Sequence, residues 1–334
     1  MKDRFRYVDD QGPGIVRQKS GKTWVYSDAR GQSIKRRSEI ERLNAIALPP
    51  AYTNAWFCPS ADGHIQAVGW DAKGRKQYRY HAAFTMARDA DKYARCVEFG
   101  RSLPDIRKAV ERDLAKRTMD RQTIIAAVVR LLDRGQVRIG NESYARSNKS
   151  YGATTLRKHH ARVRGANVML NYVGKSGKVQ AVQIEDKRLA RVIRRCLDES
   201  DSLIFEHGDA DGTRRPITSS DVNRYLRDVS GAEFTAKHFR TWGASVIALD
   251  AVMSSDAPIT IKGLLEPVAA ALGNTPAIAR KSYVHPAVIK LVEAPKQVEK
   301  LKKKVPRAAQ RITSTERVLI KILQGRWAKN ELAG

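Results

Sequence analysis

The sequence predicts an α+β protein in which a small β-rich unit precedes a larger, mainly α-helical one with an inserted β-hairpin. Three observations predict it: short alternating runs around glycine turns over the first 80 or so positions, apolar residues at three-to-four spacing from about Phe84, and one return to alternation between Asn167 and Ile184. A chain of 334 residues accommodates roughly two such domains.

In the first unit, Thr23 to Tyr26 and Gln32 to Ile34 flank Ser27-Asp28-Ala29-Arg30-Gly31, and His64 to Trp70 meets Tyr78 to His81 across Asp71-Ala72-Lys73-Gly74-Arg75. Both read as hairpins. Helical faces follow: Ile124, Val128 and Leu131 or Leu132; Leu189, Val192, Ile193 and Leu197; then Val222, Tyr225, Leu226 and Val229 after the candidate caps Ser219 and Ser220. Between the first two faces, Asn167 to Val173 and Lys178 to Ile184 form the hairpin, and the turn Gly174-Lys175-Ser176-Gly177 puts a lysine at its tip. Thr275-Pro276 reads as a cap and first-turn proline of a short helix that carries Tyr283 towards its end, where His285-Pro286 breaks it. Residues 296 to 311 hold seven Lys or Arg against one Glu and read as a basic linker, with Ser314 to Leu323 a final amphipathic helix. The expected domains are 1–84, 85–292 and 293–334.

Composition narrows the class. The apolar fraction of 42% suffices for packed cores, and no run reaches the ~18 apolar residues of a membrane span. Met1-Lys2-Asp3-Arg4-Phe5-Arg6 lacks a signal peptide's apolar stretch, so a reducing, cytoplasmic setting is expected. Cys58, Cys96 and Cys196 are odd in number and far apart, which offers neither a disulfide framework nor a zinc site. With 62 Lys and Arg against 35 Asp and Glu, the net charge is +27, and the natural polyanion for such a protein is nucleic acid.

Two motifs fail on spacing. Gly174-Lys175-Ser176 suggests a P-loop, but the required upstream glycine is Met169. Asp209-Ala210-Asp211-Gly212 suggests a calcium loop without its third ligand or closing Glu. Neither a metal nor a nucleotide cofactor is therefore expected.

What remains is a set of cations with one tyrosine: Arg138 in Val137-Arg138-Ile139-Gly140, Lys175 at the hairpin tip, Lys237 and Arg240 in Lys237-His238-Phe239-Arg240-Thr241, then Asn274 and Tyr283. Each alone reads more readily as surface. Together they describe phosphoryl transfer. A phenol of pKa about 10 attacks a phosphodiester and stores its bond energy as phosphotyrosine. Guanidinium forks suit the charge that develops on the non-bridging oxygens, the role expected of Arg138 and Arg240. A positioned acid such as Lys175 protonates the departing sugar oxygen, worth on the order of 10²- to 10⁴-fold. On a helical wheel of ~100° per residue, Lys237 and Arg240 fall within about 60° of one face, opposite Phe239, Trp242 and Val246, so both cations are expected to point outward at DNA. Asn274 falls just outside the N-terminus of the short helix, where anions are favoured.

These segments closely resemble the type IB DNA topoisomerases of the bacterial, poxvirus-like branch, in the same order to about Val292. The family pattern has an arginine in Arg-x-Gly, a lysine after glycine at a hairpin tip, an arginine in Lys-x-x-Arg-Thr, a histidine or asparagine, and a tyrosine nine residues later. The resemblance implies that Arg138, Lys175, Arg240, Asn274 and Tyr283 are catalytic, and that Lys237 is a second member of the proton relay. It further implies that Arg75, Lys76, Gln77, Tyr78 and Tyr80 touch DNA, as do Gly140 and Tyr144 near the cleavage site. Residues 73 to 79 independently hold four Lys or Arg and no acid, interleaved with tyrosine, which suits phosphate contact. The fifth catalytic position is Asn274 where poxviral relatives have histidine, so a neutral amide stands in for a cationic imidazole. The implied activity is ATP-independent relaxation of double-stranded DNA through a 3′-phosphotyrosyl intermediate, by a monomer associated with the bacterial nucleoid.

Two other readings share some of this evidence. A tyrosine recombinase uses the same chemistry, but is typically marked by His-x-x-Arg and a helical N-terminal region. A non-catalytic, architectural DNA-binding protein accounts for the charge alone, and forms no covalent adduct.

Overall fold

The computed structural model describes residues 5–199, 202–208 and 213–325. Packing divides the chain into two units, Met1–Tyr93 and Ala94–Gly334. Asp209 to Gly212, the rejected calcium loop, lie outside the described residues.

The first unit is one antiparallel sheet in the order β2-β1-β3-β4-β5, built from β1 (Ile15–Ser20), β2 (Thr23–Ser27), β3 (Thr53–Phe57), β4 (Ile65–Trp70) and β5 (Lys76–Tyr80). Helix α1 (Arg37–Ala45) contributes Leu43 to a core with Ile15, Tyr26, Leu48, Phe57 and Ala67. The β4–β5 hairpin forms as expected, with Trp70 opposite Lys76 and Val68 opposite Tyr78. The other hairpin differs. Strand β2 pairs along its length with β1, and the segment Gln32 to Ile34 contributes only the isolated bridge Ser27–Ser33. The sequence reading missed β1 and β3. Strand β3 is interrupted by an irregularity between Thr53 and Trp56, where Asn54 takes a left-handed φ of 48°, so alternation is broken there.

Helix α2 (Ala82–Ala115) leads into the second unit, whose residues begin at Ala94. Its centre is α3 (Arg121–Gly135), buried continuously from Thr123 to Asp133, as expected of a helix with neighbours on all sides. Asp120 caps it, accepting the Thr123 N–H at 2.8 Å. After α4 (Glu142–Asn148) comes a three-stranded sheet of β6 (Ala161–Arg164), β7 (Asn167–Val173) and β8 (Val179–Glu185), so the expected hairpin has a third strand on its β7 edge. Then follow α5 (Lys187–Glu199), the short pair β9 (Glu206–Gly208) and β10 (Arg214–Pro216), and α6 (Ser219–Ser230). Thr218, rather than Ser219 or Ser220, caps α6, in a capping box with Asp221.

Helices α7 (Ala236–Ser254), α8 (Ile261–Leu272), α9 (Pro276–Ser282) and α10 (Pro286–Ile289) complete the body. The stretch read as a linker is not one. It begins with α11 (Pro295–Lys303), whose Leu301 is buried, and Arg311 pairs with Glu111 at 2.8 Å. Helix α12 (Ser314–Leu323) buries Val318 and Leu319 in the same core and packs on α7. The Lys-rich composition hid a helix seated by buried Leu301 and partly buried Val298.

Candidate active site

Four of the five predicted catalytic side chains meet where two helices end. Helix α3 stops at Gln136, which takes a left-handed conformation with φ 51° and ψ 24°. Helix α8 stops at Gly273, also left-handed, in a turn closed by the Asn274 N–H donating to Ala269 O at 3.0 Å. Each end leaves backbone carbonyls without helical partners and carries the negative pole of its helix. Arg240 fills that space: its Nη1 donates to Gln136 O and its Nη2 to Leu272 O at 2.9 Å.

That position corrects the helical-wheel reading. Lys237 is exposed, but Arg240 is 5% exposed and buried along with Phe239 and Trp242. Two helix C-termini supply carbonyl acceptors to this guanidinium, which no count of apolar spacing registers, although burial, then Arg138, still hold its pKa below the ordinary arginine value.

Tyr283 is the C-cap residue of α9, which starts as expected with Thr275 accepting the Ile278 N–H and Pro276 in the first turn. Its half-buried ring lies against Arg240, with the guanidinium carbon 5.0 Å from the ring centroid. Burial pushes the phenol pKa up, but Arg240, then Arg138, with a further contribution from Asn274, outweigh it and hold the phenol below the ordinary tyrosine value. The chain leaving Tyr283 is pinned to α7: the His285 N–H donates to Ser245 Oγ at 3.0 Å, and Ser245 Oγ donates to Thr241 O at 2.8 Å.

Arg138 donates from Nη2 to Asn274 Oδ1 at 2.7 Å. Its backbone is held by a close approach of two glycine-bearing segments. Arg138 O accepts the Ala153 N–H and Ile139 O accepts the Thr154 N–H, both at 2.7 Å. A Cβ on Gly152 would stand 2.5 Å from Gly140 N and 2.6 Å from Arg138 O, and Gly140 has φ +96°. Gly140 thus sets the course of the extended segment bearing Arg138, and Gly152, which sequence reasoning missed, is its counterpart. Tyr144, 61% exposed on α4, is open to solvent.

Among the described residues, neither Arg138 nor Arg240 is ion-paired to a carboxylate. Two buried donors, Arg240 Nε and Asn274 Nδ2, have no partner. A pair of guanidiniums without an acid partner among the described residues, with spare N–H groups beside a phenol, is chemically suited to a tetrahedral or pentacoordinate oxyanion. A further tyrosine, Tyr172 on β7, is influenced by the same two arginines, but burial dominates and pushes it up to about 12, so it stays neutral.

Lys175 is not brought into this cluster. It sits exposed at the tip between β7 and β8, in a turn where Gly174 N–H donates to Lys178 O at 2.8 Å and Ser176 is left-handed. Lys237 likewise stands outside the hydrogen-bonded set.

The strip expected to contact DNA lies on β5 and its turn in the first unit. Tyr78 and Tyr80 are 40% and 42% exposed and stack at 5.9 Å, and Lys76 lies 5.4 Å over Tyr78. The strip's polar groups are partly held by acids: Lys76 pairs with Asp10, Arg75 with Asp71 at 2.7 Å, and Gln77 donates to Asp71 at 3.0 Å. Among the described residues there is no group of three or more His, Cys, Asp and Glu side chains placed to hold a metal ion, and no helix long and apolar enough to cross a membrane.

Residues 76–318 match the catalytic core of eukaryotic DNA topoisomerase I, and residues 23–71 match the N-terminal domain of bacterial DNA topoisomerase IB. The DNA topoisomerase 1B of Acanthamoeba polyphaga mimivirus is 32% identical over 285 residues, 81% of this chain and 85% of that protein. The DNA topoisomerase I of Monkeypox virus is 24% identical over 231 residues, 68% of this chain and 72% of its own. The DNA topoisomerase 1 of Mycosarcoma maydis is 25% identical over 235 residues, 64% of this chain and 22% of the fungal protein.

Proposed function

This chain belongs to the type IB DNA topoisomerases, and we propose that its strand cleavage and religation are carried by Tyr283, Arg138, Arg240, Asn274 and Lys175 in the following roles. Of the three readings drawn from the sequence, the family supports the enzyme that relaxes supercoiled duplex DNA by transient nicking of one strand.

The Tyr283 oxygen attacks the phosphorus, a P–O bond to the protein forms, and the bond to the 5′ oxygen breaks, that oxygen leaving with a proton. Religation is the reverse, so the bond energy is conserved and no nucleotide is consumed. The lowered phenol pKa raises the phenolate fraction at neutral pH. Arg138 and Arg240 neutralise the non-bridging oxygens, and the spare N–H groups on Arg240 and Asn274 are donors the oxyanion satisfies. Asn274 also holds Arg138 in place, through an acceptor that a protonated imidazole lacks. Lys175 is the general acid, which requires the β7–β8 tip to fold onto bound DNA; Lys237 is the second relay member. Arg75, Lys76, Gln77, Tyr78 and Tyr80 track the duplex, and Gly140 and Tyr144 lie near the cleavage site. On this reading the enzyme needs neither metal nor ATP and works as a monomer on nucleoid DNA in the cytoplasm.

The single observation that carries the proposal is the pair of guanidiniums, neither ion-paired with an acid among the described residues, beside a phenol whose pKa they lower. Supercoiled plasmid treated with enzyme in EDTA without nucleotide is expected to relax, and denaturation during turnover to trap a strand on the protein. Tyr283→Phe should abolish both while retaining duplex binding. An adduct that persists in Tyr283→Phe assigns the nucleophile elsewhere.

A further inference from the structure

The contact that fixes Arg240 runs through a residue that neither the motif nor the chemistry singles out. Gln136 is a non-glycine residue in the left-handed region, at a C-cap position that glycine fills at lower cost, although Gly135 is the residue just before it. Its side chain is not free. Nε2 donates to Asp133 O at 2.7 Å, one turn back on α3, and the carboxamide lies flat against α7 at Gly243, where a Cβ would stand 2.0 Å from Oε1 and 2.3 Å from Cδ. Gly243 is three residues after Arg240, on the same side of α7. The carboxamide therefore fills the seam between α3 and α7 directly beside the arginine whose Nη1 the Gln136 carbonyl receives.

The outer end of this brace is itself fixed. The Asp133 carboxylate accepts Arg107 Nε and Nη2 at 2.9 and 2.8 Å, and Arg107 also donates to both oxygens of Glu316 at 2.8 and 2.9 Å. Glu316 Oε1 accepts Trp242 Nε1 at 3.1 Å, and Trp242 immediately precedes Gly243. A closed circuit thus runs from α3 through α2 and α12 to α7, and returns to α3 at Gln136.

We propose that Gln136 is a positioning residue for Arg240: its left-handed backbone aims the carbonyl, and its carboxamide, braced on Asp133 and Gly243, keeps that carbonyl in register with α7. The proposal rests on the reading of Arg240 as a phosphate ligand given above. It assigns no contact between Gln136 and DNA.

Gln136→Gly separates positioning from stability, because glycine relieves the left-handed backbone while removing the brace. Measured on the full chain, its melting temperature should be equal to or above the parent's and its duplex Kd within about twofold. Single-turnover cleavage of an oligonucleotide duplex whose released 5′-hydroxyl fragment diffuses away should slow at least tenfold. In an Arg240→Ala background, Gln136→Gly should add less than twofold, since a residue acting through Arg240 has nothing left to position. Should Gln136→Gly not fold, Gly243→Ala applies the same displacement from the other side and is read with the same thresholds. Here the added Cβ meets the flexible end of a side chain, and helix propensity favours the change. Cleavage within twofold of the parent, or a loss that multiplies onto that of Arg240→Ala, overturns the proposal. If Arg240→Ala itself cleaves at the parental rate, the reading of the site fails and Gln136 falls with it. If Arg240→Ala is inactive and Gln136→Gly is normal, only the positioning role is lost.

Discussion

Glu316→Gln tests whether the basic C-terminal segment is part of the body. Glu316 is 3% exposed and accepts four hydrogen bonds: Arg107 Nη2 and Trp242 Nε1 on one oxygen, Arg107 Nη1 and the Thr313 N–H on the other. A glutamine keeps the shape, but whichever way its amide turns, one end presents N–H groups to two donors, and Arg107 loses one of its two acids. Removing one partner of a buried ion pair costs about 3–5 kcal/mol. At about 2–4 °C per kcal/mol for a unit of this size, the melting temperature should fall by roughly 6–20 °C. Scanning calorimetry of the full chain reads this directly, with Lys303→Gln on the exposed side of α11 as a control expected to move little. The pH dependence has a definite sign. Burial pushes the Glu316 carboxyl up, but Arg107, the Thr313 N–H and Trp242 outweigh it, so the folded pKa lies below the ordinary value of 4.5. A lowered folded pKa means the contribution is complete above about pH 4.5 and is lost as pH falls through the folded pKa. The parent and Glu316→Gln should therefore converge in acid. A melting temperature within about 2 °C of the parent at neutral pH would refute the argument, and α12 would then be a dispensable appendage.

Much of the architecture was legible because it is local. The β4–β5 and β7–β8 hairpins carry their turns in sequence, α9 announces itself with Thr275-Pro276, and α12 was placed at Ser314 to Leu323 by its apolar spacing. Strands β1 and β3 were not legible, because Ile15-Val16-Arg17-Gln18-Lys19-Ser20 is largely polar and its partner strand carries the kink at Asn54. The segment from 296 to 311 misled for another reason: seven cations dominate its composition, while the interactions that seat it come from Leu301 and from acids far away in sequence, Glu111 among them.

The site divides along the same line. Residue types and order pointed to Arg138, Arg240, Asn274 and Tyr283, and the fold does bring them together. How Arg240 gets there was invisible, because a helical wheel assigns a charged residue to water and cannot register two other helices ending around it. Gly152, Ser245 and Gln136 have no signal of their own in one sequence. Each acts by a contact with a segment 12 to 104 positions away. Lys175 is the reverse case: its turn was plain from sequence, yet the fold leaves it exposed at the tip, outside the cluster its residue type suggested.

Three more outcomes follow. In Gly100→Ala the new Cβ would stand 2.2 Å from the Trp242 ring, a rigid neighbour, so the chain should lose about 1–3 kcal/mol of stability by calorimetry; an unchanged melting temperature would show that α2 and α7 have slack there. Arg75→Ala should flatten the dependence of log affinity on log salt by about 0.9 if Arg75 neutralises one phosphate, while Tyr80→Ala should weaken binding at constant slope. A slope unaffected by Arg75→Ala means its pairing with Asp71, whose carboxyl it helps hold down at about 2, is its whole role. The last outcome separates acid from electrostatic catalysis. Lys175→Ala should slow cleavage severely on ordinary DNA, because the 5′ oxygen must then depart without a proton. Replacing that oxygen with sulfur gives a leaving group that needs none, so the Lys175→Ala defect should largely vanish on the sulfur substrate. Defects in Arg138→Ala and Arg240→Ala should persist, since charge on the non-bridging oxygens develops in either case. Because Lys175 stands outside the cluster in the free protein, its effect should also vanish from duplex binding and appear only in the chemical step. If sulfur restores the arginine variants and leaves Lys175→Ala inactive, the tip lysine is a phosphate ligand and the acid lies elsewhere.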